Sequence, residues 1–544
     1  MTNPNGFNLL EQPWIVALGR DGHQHEVSIL DLFADAARYA NLGGEVSTQG
    51  FAITRLLLAF LHRALDGPAS YDDWAELWAA PELPTKSIAA YAARVRDRFD
   101  LFDPQMPFFQ VAGLRSAKDE VSGLERLVAD VPNGEPLFTT RSAQNLGRIG
   151  AAEAARWLVH VHAFDPSGIK TGAVGDPMVK GGKGYPSGPG WSGQLGGVLL
   201  QGNDFRQTLL LNLIGRDAYS YLQIGAKDDV PAWEREPDGP TRHDRPPRGP
   251  VDLYTWQTRR VRLVGDRDGV TGVVLAYGDK IAPENLQAVE PHTAWRYSDP
   301  KSKKAKESIY MPRLHQPERA VWRGIAALLP ATAGQYANSS EPARFLAPRV
   351  LEWVSDLAGQ GVLEDDFKPG IRVCGVEYGP QQSTVAEIID DELTLPIRLL
   401  REDNPAAGTA AADAVSDAEG IAFSVWKLAQ NVAQAAGADP KDTANGDQAR
   451  EDFFARLDGL YRQWLSGLSA QPDLMAARRI WRITVSDAAR TVAEQVITAA
   501  PPAAWVGREV QSHLVNVAQA EAWFNSALRR FATQSTISGE DISQ

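Results

Sequence analysis

The chain has 544 residues, of which 44% are hydrophobic and 23% are charged. This ordinary globular composition excludes a disordered or fibrous protein, and at roughly 150 residues per domain the length predicts about two to four domains. The formal net charge of −13 argues against a protein that coats nucleic acid over its whole surface, although contacts through local basic segments remain open.

The cysteine content and the length of the apolar runs limit which metal sites and which cellular compartments the sequence allows. Cys374 is the single cysteine, which excludes an intrachain disulfide and a cysteine-rich zinc site, and within RVCGV it is most simply a core residue. The strongest apolar run, LLLAFL at 56–61, is too short to cross a bilayer. The N-terminal residues lack the basic and apolar stretches of a secretory signal. We therefore expect a soluble, cytoplasmic protein without a membrane segment.

The first part of the chain predicts a hairpin followed by two helices. Two short strands, over 7–18 and 19–29, flank the turn dipeptide Asp21-Gly22. Apolar residues at intervals of three and four then predict helices in SILDLFADAARYANL and GFAITRLLLAFLHRAL. Ser28 is the expected N-cap of the first helix.

A glycine-dense tract and a proline-rich tract divide the middle of the chain. Residues 167–202 contain KGGKGYPSGPGWSGQLGG, which predicts a loop because dense Gly and Pro interrupt helices and sheets. Residues 230–250 are Pro-rich and charged, which predicts an exposed connection. Beyond them, apolar and polar residues alternate in YTWQTRRVRLVG and VTGVVLAYGDK and predict two strands joined at a DRDG turn.

The last third of the chain predicts a bundle of helices. Apolar residues recur at helical intervals in four segments, which are 415–436, 451–468, 474–498 and 508–531. Short joints between such amphipathic helices favour an antiparallel bundle. The predicted fold is therefore α+β, with a large mixed α/β N-terminal domain over 1–403 followed by a C-terminal four-helix bundle over 404–544.

Two pairs of polar residues raise the alternative of a metal-dependent hydrolase. His160 and His162 form an HxH pair within WLVHVHAF, the spacing of one strand face and of some metal sites, and Asp165 follows them. His243 and Asp244 form an HD pair within the proline-rich tract. Buried or capping histidines and a chance pair explain both patterns more simply. The sequence contains no assembled catalytic set, which is typical of a recognition or assembly subunit.

An ordered set of motifs over essentially the whole chain resembles the CasA family. The motifs are FNLLEQPWI at 7–15, RLLLAFLHRAL at 55–65, FDLFDPQMPFFQ at 99–110, PLFTTR at 136–141, AARWLVHVHAFDPSGIKTG at 154–172, the glycine tract, YTWQTRRVRL at 254–263 and the terminal bundle. Each motif alone is weak, but their ordered combination is specific. CasA is the large subunit of Cascade, the surveillance complex of type I-E CRISPR systems.

The resemblance implies a non-catalytic subunit that uses no cofactor. Such a subunit joins the other Cascade subunits, contacts the guide RNA and reads the protospacer-adjacent motif (PAM) in double-stranded target DNA. It then starts to unwind the duplex and recruits the helicase–nuclease that destroys the target in antiviral defence. The alternatives from other classes are the metal-dependent hydrolase and a scaffold subunit that makes no DNA contact.

The resemblance assigns duplex opening and motif reading to separate loops. Opening is assigned to a glutamine-tipped hairpin, matched here by VEYGPQQSTVAEI, so the candidates are Gln381 and Gln382. Reading from the minor groove is assigned to glycines and a lysine. These candidates are Gly181, Gly182 and Gly184, with Gly188, Gly190 and Gly193 as alternatives, and Lys301, Lys303 and Lys304 within DPKSKKAKE. From the residues alone, an exposed turn, a flexible loop and a solvated charge run remain open.

The resemblance also implies a contact with the 5′ handle of the guide RNA. PLFTTR loosely resembles the aromatic-bearing loop of the family, which gives Phe138, Thr139, Thr140 and Arg141 as candidates. An exposed aromatic ring can stack on a splayed base. A core Phe after Pro136 and Leu137 is an equally simple interpretation of the same residues.

Overall fold

The computed structural model describes residues 6–131, 139, 141–142, 145–333, 342–468, 471–510 and 513–537. The chain divides into two compact units. The N-terminal unit comprises residues 1–321 and 333–392, and the C-terminal unit comprises residues 322–332 and 393–544. The predicted fold class is confirmed, because a mixed α/β part precedes a helical part, whereas the boundary at residue 404 stays a prediction. Among the described residues, no helix combines the length and the apolar character needed to cross a membrane.

The helices range in length from a single turn to more than eight turns, and the longest lies in the C-terminal unit. In chain order they are α1 (Ile29–Ala34), α2 (Ser47–Leu65), α3 (Tyr71–Ala79), α4 (Thr85–Val95), α5 (Ala151–Phe164), α6 (Phe205–Leu211), α7 (Pro250–Tyr254), α8 (Asp299–Ala305), α9 (Pro330–Ala333), α10 (Arg349–Gly359), α11 (Ala406–Ala436), α12 (Ala444–Leu468), α13 (Leu474–Thr498), α14 (Pro502–Val506) and α15 (Val517–Ile537).

The strands are short and form several small antiparallel sheets. In chain order they are β1 (Ile15–Gly19), β2 (Gln24–Val27), β3 (Tyr39–Leu42), β4 (Lys170–Thr171), β5 (Lys183–Gly184), β6 (Gly197–Gln201), β7 (Arg259–Asp266), β8 (Gly269–Tyr277), β9 (Trp295–Tyr297), β10 (Tyr310–Pro312), β11 (Phe345–Leu346), β12 (Gly370–Tyr378), β13 (Val385–Thr394), β14 (Arg508–Val510) and β15 (His513–Val515). The sheet orders are β2-β1-β3, β10-β9-β11 and β13-β12-β6, with the pairs β4-β5, β7-β8 and β14-β15.

The N-terminal hairpin and its flanking helix follow the sequence pattern in part. β1 and β2 pair as predicted, and the Ser28 hydroxyl caps α1 by accepting the backbone N–H of Asp31 at 3.1 Å. The predicted helix over 28–42 is wrong beyond Ala34, because β3 occupies its end and pairs with the other edge of β1. The unpaired backbone N–H and C=O groups at that edge of β1 find their partners in β3. A local sequence pattern does not reveal such a pairing.

The core of the N-terminal unit surrounds α2, which is buried from Thr48 to His62. A helix that is apolar on nearly every side is expected to lie inside the protein. α5 packs beside α2, and the predicted pair of strands β7 and β8 is confirmed as an antiparallel ladder. β12 carries the buried Cys374, as predicted for a core residue, and burial raises the pKa of its thiol to about 12.

Two predicted loops contain ordered elements. The end of the glycine tract forms β6, which pairs with β12, because GVLLQ supplies the apolar residues of a buried strand. The prediction that residues 230–250 form an exposed connection is wrong at the start of this tract, because the Trp233 side chain is only 3% exposed. The Trp233 indole donates to the Tyr91 hydroxyl at 2.7 Å, so this tract is anchored in the core.

Four long helices, α11, α12, α13 and α15, make up most of the C-terminal unit. Tyr461 and Trp481 lie in its interior, where they donate to the backbone carbonyls of Ala411 and Ala414. The predicted helix over 508–531 is wrong at its start, because β14 and β15 form a hairpin after Gly507, whose φ is 77°. The apolar spacing of this hairpin mimicked a helical pattern.

The segment 322–332 belongs to the C-terminal unit although it precedes the helices of that unit by many residues. The Trp322 ring stacks on Tyr461 with a 4.4 Å centroid separation, and its indole donates to Asp458 at 2.9 Å. The neighbouring Arg323 pairs with Glu419 at 2.9 Å. An earlier part of the chain therefore contributes an aromatic residue to the core of the bundle.

Limited proteolysis should cleave the exposed residues 402–404 and leave a helical C-terminal fragment of about 140 residues. We expect the two pieces to elute together in native buffer and to separate in denaturant, because Trp322 holds the upstream piece in the bundle. The Trp322→Ala variant is the matched control, and its pieces should separate more readily. Cleavage throughout α12 and α15 would contradict the boundary.

Candidate nucleic-acid interface

The two glutamines lie in the turn between β12 and β13. Gln381 and Gln382 are both exposed, and both have left-handed backbone angles, with φ of 57° and 56°. Residues other than Gly rarely adopt this backbone conformation, since it costs about 1–2 kcal/mol per residue. Gly379 closes the turn, because its N–H donates to Thr384 at 3.0 Å and its carbonyl accepts from Gln382 at 2.9 Å. The turn therefore presents two neutral amide side chains to solvent in a strained conformation.

This glutamine turn is attached to the segment that follows α5. The backbone carbonyl of Gln382 accepts the N–H of Ser167 at 2.7 Å. At the end of β12, the Tyr378 hydroxyl donates to the carbonyl of Phe164 at 2.7 Å. Two hydrogen bonds thus fix the hairpin against residues 164–167.

The glycine loop, residues 172–182, connects β4 and β5. Gly181 and Gly182 are exposed with positive φ of 58° and 73°, and a Cβ atom at either position would meet no atom within 4 Å. The backbone there is open to close approach by a ligand. Gly184 is buried, and its Cβ would lie 3.3 Å from the ring of Tyr277, so this glycine serves packing.

The alternative glycines occupy more enclosed places. A Cβ on Gly190 would lie 2.4 Å from the carbonyl carbon of Ala163, and a Cβ on Gly193 would lie 2.0 Å from the hydroxyl of Tyr378. Both glycines are required for close packing, and both are buried. Gly188 is half-buried. Within the predicted set, the structure therefore exposes Gly181 and Gly182.

A buried charge cluster of Asp165, Lys170 and Arg259 lies between the two loops. The Lys170 ammonium is 2.7 Å from the Asp165 carboxylate, and the Arg259 guanidinium donates to the same carboxylate. Arg259 also donates to the backbone carbonyls of Asp165 at 2.9 Å, Pro166 at 3.3 Å and Gly188 at 3.1 Å. Burial opposes ionisation of Asp165, but the two cations outweigh it and hold the pKa of its carboxyl below the usual value.

The cluster joins segments that carry both candidate loops. Arg259 lies on β7, Lys170 on β4 at the start of the glycine loop, and Asp165 two residues before Ser167, which binds the glutamine turn. On β8, Tyr277 places its ring 4.8 Å from the Arg259 guanidinium and donates to the carbonyl of Gly168 at 2.5 Å. A displacement of any member would therefore disturb both loops.

The predicted lysines lie on α8 and differ in their partners. Lys301 pairs with Glu284, and Lys303 pairs with Asp299 at 2.7 Å. In the part of the chain that the structure describes, Lys304 has no ion pair. Within the same residues, no hydrogen bond or ion pair joins α8 to the glutamine turn or the glycine loop. Lys304 is the lysine of this set whose charge is uncompensated.

The residues predicted to contact the RNA handle are described in part. Phe138 and Thr140 lie outside the described residues. Thr139 accepts the N–H of Arg141 through its hydroxyl at 3.1 Å, and the Arg141 guanidinium pairs with Glu153 on α5 at 2.5 Å. That hydrogen bond raises the pKa of Arg141 and anchors this residue to the N-terminal unit. The RNA contact stays a prediction.

The histidine pairs do not share a site. His160 and His162 lie on α5 rather than on a strand, so positions two apart point in different directions. His160 contacts the Thr48 hydroxyl at 2.9 Å, and His162 contacts the carbonyl of Phe109 at 2.9 Å. Burial lowers the pKa of His160 to about 4 and that of His162 to about 3. Neutral, separately bonded rings are typical of core histidines.

The remaining residues of the hydrolase alternative are also separated. His243 and Asp244 are exposed in the proline-rich tract, and the backbone N–H of His243 donates to Asp279 at 2.9 Å. Asp165 is engaged in the buried cluster. Among the described residues, no group of three or more His, Cys, Asp or Glu side chains is placed to hold a metal ion.

The comparisons with known proteins agree on one family. Residues 8–492 match the family model of CRISPR-associated protein Cse1. CRISPR-associated protein CasA/Cse1 of Thermus thermophilus is 31% identical over 449 residues, which cover 79% of this chain and 78% of that protein.

Solved structures show the same similarity over nearly complete chains. Cse1 of Thermobifida fusca is 44% identical with a TM-score of 0.89, and the match covers 97% of this chain and 98% of that chain. Cse1 of Acidimicrobium ferrooxidans is 32% identical with a TM-score of 0.81, covering 98% and 99% of the two chains. The resemblance predicted from the sequence motifs is therefore confirmed, and the chain belongs to the family of CRISPR-associated protein Cse1, also named CasA.

Proposed function

We propose that this protein is the non-catalytic subunit of an RNA-guided Cascade complex that recognises the PAM in double-stranded DNA and starts to unwind it. The observation that carries the proposal is the exposed glutamine turn, which is hydrogen-bonded to the segment 164–167. That segment contains Asp165 of the buried cluster, and Lys170 of the same cluster lies at the start of the glycine loop. A surface that must read a motif and open the adjacent base pair needs two such elements held together.

The two loops suit different parts of this task. The minor groove is narrow and presents a degenerate pattern of acceptors, so backbone without side chains can approach its base edges and tolerate several motifs. The glutamine amides carry no charge, but they can insert beside an unstacked base pair and hydrogen-bond to the exposed edges. The charge of Lys304 supports a further phosphate or base contact from α8.

The partners follow from the same proposal. Arg141 and the neighbouring residues 138–140 would contact the guide RNA, and the rest of the chain would join other Cascade subunits in the cytoplasm. Recruitment of the helicase–nuclease completes the proposed role. None of these steps requires chemistry by this chain.

Binding of PAM and non-PAM duplexes by the isolated protein and by the assembled, RNA-loaded complex tests the proposal. We expect the isolated chain to bind weakly and with little sequence preference, because its net charge is −13 and phosphate attraction dominates such binding. The assembled complex should discriminate between the duplexes. Titrations at several salt concentrations measure both properties.

Three outcomes separate the alternatives. Equal motif selectivity for the isolated chain would contradict the need for assembly. An assembled complex that binds both duplexes equally would favour a scaffold without motif recognition. Metal-dependent turnover of nucleotides or nucleic acids by the isolated chain would favour the hydrolase.

A further inference from the structure

A cavity of about 520 Å³ opens beside the glycine loop. Beside the carboxylate of Glu120, its lining includes five residues that are basic or glycine, which are Lys118, Arg126, Gly181, Gly182 and Lys183. We call this cavity the basic cleft and define it by these five residues. Polar side chains and exposed backbone supply much of the wall of the cleft. Such a wall suits part of a polar polymer backbone better than a bulky apolar ligand.

The basic cleft carries positive charge that the protein does not neutralise. Within the described residues, Arg126 and Lys183 have no ion-pair partner, and both are exposed. Lys118 approaches Glu120 at 3.8 Å, but both side chains are exposed, so this pair contributes little. Uncompensated cations at one place in a chain of net charge −13 indicate an anionic ligand.

The position of the cations selects among anionic ligands. Arg126 and Lys183 line the same cavity as Gly181 and Gly182, the exposed glycines assigned to the minor groove. A backbone segment that enters a minor groove lies between two rows of phosphates, so cations beside that segment meet phosphate oxygens. Double-stranded DNA therefore fits this arrangement better than an acidic peptide or the guide RNA.

We propose that the basic cleft binds the DNA phosphodiester backbone bordering the minor groove that the glycine loop enters, with Arg126 and Lys183 as the contacting cations. This inference rests on the proposed function. The phosphate contacts set the position of Gly181 and Gly182 along the duplex, and they carry no sequence information of their own. The cleft thus supplies affinity, and the glycine loop reads the motif.

The salt dependence of DNA binding tests the basic cleft in the assembled, RNA-loaded complex. Each phosphate contact contributes a slope of about 0.9 to the plot of log affinity against log salt. The Arg126→Gln/Lys183→Gln double variant should therefore lower the magnitude of the slope by about 1.8. It should also weaken binding by the same factor on every motif, including non-PAM duplexes.

Two matched variants control for charge and position. Arg126→Lys keeps the charge and should keep the slope of the wild-type protein. Lys86→Gln removes a cation from an exposed position on α4, outside the cleft, and should leave the slope unchanged. All the substituted side chains are exposed, so melting temperatures should match that of the wild-type protein.

An unchanged slope in the double variant would overturn the inference. A loss confined to one motif would assign the cations to base recognition, and a loss of assembly onto the guide RNA would assign the cleft to RNA; each result contradicts the inference. Failure of the proposed function has a different signature, because the wild-type complex would then show no motif discrimination at all.

Discussion

Replacing Gln381 and Gln382 together by Ala should slow R-loop formation on linear duplex DNA while folding and assembly of the complex remain intact. Opening the first base pair costs a few kcal/mol, and the inserted amides would offset part of this cost. Each loss of about 1.4 kcal/mol from that stabilisation slows the opening step about tenfold. Kinetics of R-loop formation by the assembled complex measure the effect.

Two kinds of control test the glutamine variant: DNA substrates that are supercoiled or already opened, and substitutions that relieve the backbone strain of the turn. Negative supercoiling provides unwinding energy, so the defect should shrink on supercoiled plasmid, and a pre-opened bubble beside the motif should rescue it most fully. Gly at both positions relieves the left-handed strain but also removes the amides, so it should be as defective as Ala. Wild-type rates on linear DNA, or no rescue by the bubble, would show that duplex opening does not depend on these residues.

The Arg259→Met variant should lose motif discrimination and rapid R-loop formation together, and it should also be less stable. Removing one member of a buried ion pair typically costs about 3–5 kcal/mol. Four backbone carbonyls, those of Thr258, Asp165, Pro166 and Gly188, also lose a donor here. Chemical denaturation of the isolated protein measures the change in the free energy of unfolding. DNA binding by the assembled complex, below the unfolding transition, measures the loss of function.

The control for the arginine variant lies in the same hairpin. Arg267→Met changes an exposed arginine in the turn between β7 and β8 and should alter stability by less than about 0.5 kcal/mol. A folded Arg259→Met protein that loses one loop function and retains the other would show that the two loops are not positioned together. Wild-type stability would show that the cluster contributes nothing to the fold.

Sequence patterns predicted the elements whose residues carry their own periodic signal. The apolar helix α2 and the alternating strands β7 and β8 follow local patterns, and both were predicted. Strand β3 was missed because its pairing depends on the edge of β1, which another segment supplies. The hairpin of β14 and β15 was missed because its strands are only three residues long and pair with each other. Short apolar repeats at such places are compatible with either a helix or a strand.

The candidate site divides in the same way. The glutamine turn and the glycine loop were found through their resemblance to a known family, and the structure distinguishes exposed Gly181 and Gly182 from buried Gly184. The contact of Arg259 with Asp165 spans 94 positions in sequence, so no local motif reveals it. Arg259 and Arg260 are adjacent on the predicted strand, and the sequence pattern gave no sign that both are buried and ion-paired, Arg259 with Asp165 and Arg260 with Asp279.

The insertion of residues 322–332 into the C-terminal unit has a consequence for biosynthesis. The ribosome makes Trp322 well before α12, whose Tyr461 and Asp458 cover it, so the nascent chain must carry this indole without its partners for much of elongation. Contacts so distant in sequence close slowly, and exposed aromatic surface favours aggregation meanwhile. Truncated or stalled chains that end before α12 should therefore be the forms that most require chaperones.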